Sequence, residues 1–288
     1  MASASHSAST GVPTGAYDTL ELRRDGDVAW LRLNRPDKLN SFTVRMWHEV
    51  RDLGGTLRDD DSIRALVVAG NGRAFSSGID TSVFTAGSAD DSLQSGSGAG
   101  TRHEDPTIDG ILRAQDAYSW LETARFPTIA AVHGYALGAG LQLALACDIR
   151  IFARGTQVGL LEHKYGILPD LGGTQRLPRV VGPGKAKELI WTAARIDAEE
   201  AHRIGLCERL VNGDDLEAEA TALAATIAAQ PPLAVQGAKR AVAAAGWMPV
   251  RDGLLVEAEQ QSVCLASADM REAITAFVEQ RAPRYEGR

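Results

Sequence analysis

The stretch from Phe126 to Val181 constrains the fold most, because it joins a strand, a glycine turn and a helix within a short length. Thr128 to Val132 is a run of β-branched residues and alanine that leads into the turn. From Gly138 to Cys147 the apolar residues have helical spacing rather than the alternation of a strand. The sequence therefore predicts a strand that turns directly into a buried helix.

Three glycines, Gly134, Gly138 and Gly140, punctuate this turn. Glycine lets a ligand approach the backbone, and the first free N–H groups of a helix carry a positive partial charge. An anion, or an oxygen that becomes one during a reaction, would be stabilised there. The alternative is that the glycines only permit tight helix packing. The turn GYALGAG lacks the GxGxxG pattern of a dinucleotide site.

Two carboxylates, Glu162 and Asp170, follow the turn in an apolar setting. A carboxylate is costly to bury unless it has a partner or a chemical role. The sequence therefore predicts two acid or base groups downstream of a candidate oxyanion site. The structural alternatives are a salt-bridged glutamate and an aspartate that only forms the turn before Leu171 and Gly172.

Six segments of the chain carry motifs that occur together, and in this order, in one known family. They are LNRPDKLNSF (Leu33 to Phe42), AFSSGID (Ala74 to Asp80), HGYALGAG (His133 to Gly140), ACDIRI (Ala146 to Ile151), LPDLGGTQRLPRVVG (Leu168 to Gly182) and AITAFVEQR (Ala273 to Arg281). With them the chain resembles the crotonase, or enoyl-CoA hydratase/isomerase, superfamily from about Tyr17 onward.

This resemblance implies the fold and the domain organisation. We expect an α/β protein in which residues 16–212 form a crotonase-like spiral of ββα repeats that carries the catalytic site. Residues 213–288 would then form a C-terminal helical region that assembles homotrimers or homohexamers. Composition adds two expectations: a disordered tail over residues 1–15, and a mobile loop over residues 86–106, which are rich in serine, glycine and aspartate.

The resemblance also implies the residues of an acyl-CoA site. The backbone N–H groups of Ile79 and Ala139 would together hold the thioester oxygen, and the loop with Lys38 and Leu39 would lie against coenzyme A. The alternative for Lys38 is a solvated loop lysine. Further substrate contacts are expected at the residues around the two amides and the catalytic groups: Ser77, Gly78, Asp80, Thr81, Gly138 and Gln142.

The choice of acidic residues indicates the reaction. Hydratases of the family position water with two glutamates, and these positions hold Gln142 and Glu162 here. Glutamine forms hydrogen bonds but accepts no proton at neutral pH. Glu162 with Asp170 most resembles the isomerases that convert 3,5-dienoyl-CoA to 2,4-dienoyl-CoA, and a 3-enoyl-CoA isomerase would need Asp170 alone. The alternatives are an enoyl-CoA hydratase and a non-catalytic acyl-CoA-binding homologue.

Composition limits the other possibilities. The 288 residues are 44% hydrophobic and 23% charged, which is typical of a globular protein. The net charge of −7 and the pI near 5.4 favour neither nucleic acid nor an anionic membrane as a partner. Cys147, Cys207 and Cys264 lack metal-ligand spacing, so we expect reduced thiols and a cytoplasmic protein. The reaction that the resemblance implies needs no metal, and no cofactor beyond the coenzyme A of the substrate.

The local patterns predict further elements. Leu20 to Leu33 is expected to form a hairpin that turns at Asp25-Gly26, and Thr43 to Arg58 a helix interrupted at Gly54-Gly55. From Leu233 to Arg281 the pattern is almost entirely helical. The expected apolar anchors of these C-terminal helices are Trp247, Leu254, Val263, Ile274 and Phe277.

Overall fold

A computed structural model describes residues 17–85 and 103–288 of the chain. The expected tail over residues 1–15 and residues 86–102 of the expected mobile loop lie outside this described part.

The strands of the described part form one sheet of six strands and one of three. Their bounds are β1 Leu20–Asp25, β2 Val28–Leu33, β3 Ala65–Gly70, β4 Thr128–Val132, β5 Tyr135–Leu137, β6 Ile149–Ala153, β7 Gln157–Gly159, β8 Ile196–Asp197 and β9 Arg209–Val211. The larger sheet has the order β1-β2-β3-β4-β6-β9, and the smaller has the order β5-β7-β8. β1 and β2 are antiparallel, and every later pair in the larger sheet is parallel.

Helices connect these strands and make up the C-terminal region. Their bounds are α1 Val44–Leu57, α2 Ser82–Thr85, α3 Pro106–Thr123, α4 Ala139–Ala146, α5 Gly173–Val181, α6 Pro183–Thr192, α7 Ala198–Arg203, α8 Leu216–Ala228, α9 Pro232–Ala245, α10 Val250–Ala266 and α11 Ala268–Glu279. Short 3-10 helices cover Pro36–Lys38, Glu162–Tyr165 and Gly213–Asp215. The mixed α/β class and the helical C-terminal region are confirmed.

The central strands of the larger sheet are buried on both faces. All six residues of β3 are buried. One face packs against α1, α3 and α4 through the larger apolar cluster, which contains Phe42, Phe75 and Tyr118. The other face packs against α8 through Leu216 and the alanines that follow it. A parallel strand that is covered on both sides needs a continuous apolar run, which explains the sequence ALVVAG.

The predicted hairpin is confirmed, but the predicted interruption of α1 is wrong. α1 runs through Gly54 and Gly55 without a break. A Cβ atom at Gly54 would lie 2.4 Å from the indole ring of Trp120 on α3. The glycine therefore provides room for the close packing of two helices, and tertiary contacts outweigh its low helix propensity.

The C-terminal helices expose much of their apolar surface in the single chain. The predicted anchors of these helices do not reach its core, since Trp247 is 65% exposed and Phe277 is 85% exposed. Leu254, Val263 and Ile274 are also exposed. Apolar surface of this extent is unusual on a protein that remains monomeric. Among the described residues, no helix has the length and apolar character to cross a membrane.

Candidate active site

Two loops meet at the ends of the parallel strands and form one side of the site. The first follows β3 and contains Ser76, and the second contains β5. The Ser76 amide donates to the Tyr135 carbonyl at 2.8 Å, and the Leu137 amide donates to the Ser76 carbonyl at 3.0 Å. Gly78 has φ +105°, and a Cβ atom there would lie 3.0 Å from the Leu137 carbonyl oxygen. The two loops are therefore joined by backbone contacts along their length.

Each loop leaves one backbone N–H free. Phe42 forms hydrogen bonds with both sequence neighbours of Ile79. The Phe42 amide donates to the Gly78 carbonyl at 2.7 Å, and the Phe42 carbonyl accepts from the Asp80 amide at 2.9 Å. Ala139 is the first residue of α4, where an amide has no partner within the helix. Within residues 17–85 and 103–288, neither the Ile79 nor the Ala139 amide donates a hydrogen bond. Both are available to an oxygen atom of a ligand.

The glycines of the turn allow other parts of the protein to pack closely against it. Gly138 has φ +49°, and a Cβ atom there would lie 3.2 Å from a carboxylate oxygen of Glu162. A Cβ atom at Gly140 would lie 2.7 Å from both the Cβ and the carbonyl oxygen of Ser76. Gly140 therefore brings α4 against the first loop, while Gly138 brings the turn against Glu162. Both glycines therefore permit close packing within the protein, and the approach of a ligand to this turn stays a prediction.

Glu162 begins the 3-10 helix after β7 and is only 5% exposed. Its Oε1 accepts a hydrogen bond from Gln142 Nε2 at 2.7 Å. Its Oε2 is buried and has no hydrogen-bond partner among the described residues. Burial raises the pKa of Glu162, and the charge of Asp170 raises it further, while the bond from Gln142 opposes this. Glu162 thus has one fixed oxygen and one without a partner.

Gln142 connects three parts of the site. Its side chain, on α4, is 1% exposed and donates to Glu162, while its Oε1 accepts from the Gly173 amide at 2.9 Å. Gly173 is the first residue of α5. Because one neighbour is a donor and the other an acceptor, only one orientation of the amide satisfies both. Gln142 is thereby held as a neutral link between α4, the Glu162 turn and α5.

Asp170 lies in the turn before α5 and is half-buried. Burial raises the pKa of its carboxyl group. The backbone of the turn is clamped: Gln115 on α3 donates to the Asp170 carbonyl at 2.6 Å, and Arg176 donates to the Leu171 carbonyl at 2.9 Å. Arg176 also forms an ion pair with Glu122 on α3 at 2.7 Å. The position of Asp170 therefore depends on α3.

A pocket of about 150 Å³ opens beside the two free amides. Asp170 is not part of its wall, although its charge acts on Glu162. The pocket thus brings together the expected oxyanion residues and one of the two expected catalytic carboxylates. Its described lining comprises Ser77, Gly78, Ile79, Thr81, Leu137, Gly138, Ala139, Leu161, Glu162, Tyr165, Ile167 and Arg195.

The other expected substrate contacts lie outside this pocket. Lys38 is exposed at the end of its 3-10 helix, and the Leu39 carbonyl accepts from the Ser77 amide at 2.9 Å. The Asp80 carboxylate is bonded to Arg35 at 3.0 Å and to Ser41 at 3.2 Å. Burial would raise the pKa of Asp80, but hydrogen bonds, first from Ser82 and then from Arg35 and Ser41, outweigh it and lower the pKa to about 2. Its carboxylate is therefore ionised and already partnered by the protein.

Several residues of the site do not appear among the expectations drawn from the sequence. Tyr165 and Ile167 form part of the wall, and a signal existed, since both are large apolar residues close to Glu162 in the sequence. Gln115 and Arg195 gave no signal, whereas Arg176 lies in the motif LPDLGGTQRLPRVVG, from which its contacts could not be inferred. Gln115 and Arg176 bond to residues more than twenty positions away in the sequence, and Arg195 lies beside a short edge strand. No local sequence pattern predicts such contacts.

The chain is similar to known proteins over nearly its whole length. The family model described as enoyl-CoA hydratase/isomerase matches residues 23–288. A Mycobacterium bovis protein named "Probable enoyl-CoA hydratase" is 38% identical over 271 residues, which cover 93% of this chain and 98% of that protein. A peroxisomal Δ(3,5)-Δ(2,4)-dienoyl-CoA isomerase of Arabidopsis thaliana is 34% identical over 274 residues, which cover 94% of this chain and 98% of that protein.

Solved structures extend the likeness to three dimensions. The crystal structure of an enoyl-CoA hydratase from Bacillus anthracis superposes with a TM-score of 0.83 at 32% identity, covering 94% of this chain and all of that one. A family model that matches nearly the whole chain, and relatives that are aligned over nearly their full length, leave no large part of the fold unmatched. The chain therefore belongs to the enoyl-CoA hydratase/isomerase family, the crotonase superfamily.

Proposed function

We propose that this protein is an acyl-CoA double-bond isomerase that shifts 3,5-dienoyl-CoA or 3-enoyl-CoA to the 2-ene. The observation that carries the proposal is that two carboxyl groups, the buried Glu162 and the half-buried Asp170, interact electrostatically at this site. Burial raises the pKa of both carboxyl groups, and the charge of one raises the pKa of the other. A carboxyl group whose pKa moves toward neutrality is better suited to take up and release a proton.

The reaction needs an oxygen site as well as proton carriers. One carboxylate removes a proton from C2 of the thioester, and the electron pair moves into a conjugated enolate whose oxygen becomes negative. The free amides of Ile79 and Ala139 would stabilise that oxygen, and one such donor is worth about 3 to 4 kcal/mol in measured cases. The second carboxyl group then gives a proton to the far end of the conjugated system, and the thioester is re-formed.

Gln142 separates this proposal from hydration, which is the second candidate. Several relatives are named hydratases, which favours the addition of water to a 2-enoyl-CoA. In this chain, however, the neighbour of Glu162 is an amide that donates to it and cannot carry a proton to or from water. The site therefore has no second carboxylate at position 142 with which to hold a water molecule.

The same family membership supports proposals about partners. We infer an acyl-CoA thioester as substrate, and a homotrimer or homohexamer in which the exposed apolar faces of α9 to α11 are covered. Lys38 and Leu39 are proposed to contact coenzyme A, and a cytoplasmic location and a disordered N-terminal tail stay predictions. A non-catalytic binder is less well supported, because a buried carboxylate oxygen without a partner has no evident role in a structure that only binds.

The test compares three thioesters and one variant. The purified protein is mixed separately with 3,5-dienoyl-, 3-enoyl- and 2-enoyl-CoA, and ultraviolet absorbance reports the change in conjugation. We expect the 2,4-dienoyl chromophore to appear with wild type. In Asp170→Asn the rate should fall by about 10² to 10⁴, while the affinity for coenzyme A, measured by calorimetry, is unchanged. Unchanged turnover in Asp170→Asn would remove this residue from the mechanism, and loss of the 2-enoyl chromophore alone would favour hydration.

A further inference from the structure

Arg195 is the only cationic side chain among the described residues that line the pocket. It is exposed, and within residues 17–85 and 103–288 its guanidinium forms no ion pair or hydrogen bond. Most arginines of the described part differ in this respect: Arg150 and Arg154, for example, are paired with glutamates. An unpaired guanidinium beside a substrate pocket can donate hydrogen bonds to a bound ligand.

The backbone of Arg195 is held close to the oxyanion turn. The residue directly precedes β8, in which Ile196 pairs with Val158 of β7. A Cβ atom at Gly159 would lie 2.6 Å from the Ala194 carbonyl oxygen and 3.4 Å from the Arg195 Cα. The Gly159 carbonyl in turn accepts from the Gly138 amide at 2.8 Å. The backbone of Arg195 is therefore held in place by the smaller sheet, and only strand β7 separates it from the turn that contains Ala139.

We propose that Arg195 binds a carboxylate at the far end of the acyl group, so that the preferred substrates are thioesters of dicarboxylic acids. The pocket offers complementary features along such a group: two amides for the thioester oxygen, an apolar wall with Leu161 and Ile167 for the chain, and a guanidinium at the rim. Guanidinium and carboxylate match in geometry and can form two parallel hydrogen bonds. The inference rests on the proposed function only in that an acyl thioester occupies this pocket.

The phosphates of coenzyme A are the other anionic groups to consider. The thioester carbonyl is bound at the amides of Ile79 and Ala139, and these line the same pocket of about 150 Å³ as Arg195. The phosphates are separated from the thioester by the whole pantetheine arm, which this volume does not hold. A carboxylate on a short acyl group, by contrast, stays within the pocket. The position of Arg195 therefore favours the acyl group as the source of the anion.

The experiment measures binding of saturated thioesters, which cannot isomerise. Hexanoyl-CoA and hexanedioyl-CoA have acyl chains of the same length, and only the second ends in a carboxylate. Calorimetry gives their dissociation constants with the full-length wild type, Arg195→Met, Arg195→Lys and the control Arg154→Met, which removes an exposed arginine outside the pocket. A further arm uses the hexanedioyl thioester of N-acetylcysteamine, which lacks the coenzyme's phosphates.

We expect wild type to bind hexanedioyl-CoA more tightly than hexanoyl-CoA. Arg195→Met should weaken the binding of hexanedioyl-CoA by about tenfold or more and leave the binding of hexanoyl-CoA unchanged. It should weaken the binding of the hexanedioyl thioester of N-acetylcysteamine by the same factor as that of hexanedioyl-CoA. Arg195→Lys should restore part of the affinity, and Arg154→Met should have no effect. If Arg195→Met weakened the binding of both coenzyme A thioesters equally, Arg195 would contact a phosphate and the proposal would be overturned. Unchanged binding of hexanedioyl-CoA would overturn it as well. If the preference is found but no isomerisation occurs, the proposed function fails and this site stands.

Discussion

Replacing Gln142 by glutamate tests how the site distinguishes isomerisation from hydration. In wild type, Gln142 Nε2 lies 2.7 Å from Glu162 Oε1, and Gln142 Oε1 accepts from the Gly173 amide. In Gln142→Glu the bond from Gly173 is retained, but an oxygen replaces the nitrogen that faces Glu162. Two carboxylates then stand at hydrogen-bonding distance in a buried site, and one shared proton would restore the lost bond.

The energies indicate that the variant takes up this proton. Two unit charges about 4 Å apart repel by about 4 kcal/mol at an effective dielectric constant of about 20. Keeping a glutamate of ordinary pKa protonated at pH 7 costs about 3.7 kcal/mol, from roughly 1.36 kcal/mol for each pH unit above about 4.3. The two are close, and burial of Glu162, which raises its pKa, tips the balance toward the protonated pair. The pair then titrates as a unit rather than as two residues.

A protonated pair is the arrangement that water addition requires, since one group orients water and the other supplies a proton. We expect hydration of a 2-enoyl-CoA, followed as loss of its absorbance, to rise by about tenfold to a hundredfold in Gln142→Glu. The gain should fall as the pH rises and the shared proton is lost. The control Gln142→Leu removes the link without adding a carboxylate and should not gain hydration. An unchanged hydration rate in a folded Gln142→Glu would show that position 142 does not limit that reaction.

Three further perturbations test other contacts of the site. Gly138→Ala places a Cβ atom 3.2 Å from Glu162 at a positive φ, so turnover should fall by about a hundredfold as the Ala139 amide shifts; full activity would mean that the turn adapts. Gln115→Leu removes the bond to the Asp170 carbonyl and should lower kcat by about tenfold with KM unchanged, whereas a change confined to the melting temperature would make Gln115 merely structural. Glu162→Gln should gain stability relative to wild type as the pH rises, measured by urea unfolding; a pH-independent difference would contradict the raised pKa.

The sign of the last effect follows from proton linkage. Burial raises the pKa of Glu162 in the folded protein above its ordinary value of 4.5. The folded state therefore binds a proton more readily than the unfolded state does. The contribution of Glu162 to stability is fully present below about pH 4.5 and is lost as the pH rises through the folded pKa. A glutamine at this position does not titrate, so the variant does not undergo that loss.

Local patterns were sufficient for most elements of the fold. The hairpin turn at Gly26 and the strand from Thr128 to Val132 each depend on a few adjacent residues. The interruption of α1 was predicted wrongly, because the close packing of Trp120 against Gly54 keeps the helix continuous there, and Trp120 is distant in the sequence. Propensity is a local quantity, whereas the packing of α1 on α3 is not.

The site was predictable where backbone chemistry depends on motifs, and not where side chains meet across the fold. The resemblance to the family motifs AFSSGID and HGYALGAG pointed to the amides of Ile79 and Ala139, and neither amide donates a hydrogen bond within the described residues. The partners of Gln142 could not be inferred in the same way, since Gly173 and Glu162 approach it from other elements. The same applies to the clamp of Gln115 on the Asp170 turn. Sequence indicates candidate reacting groups of such a site, and the tertiary structure shows which side chains orient them.

The choice of glutamine at position 142 has a consequence for both stability and reactivity. A buried carboxylate needs donors, and Gln142 supplies one to Glu162 without adding charge. It directs that bond to Oε1 alone, so that Oε2 stays buried without a partner among the described residues. An unsatisfied oxygen destabilises the folded state by about 1 to 3 kcal/mol, and a substrate that brings a proton to it removes this cost. Under the proposed isomerisation, binding of the thioester and removal of its proton would both be favoured at this atom.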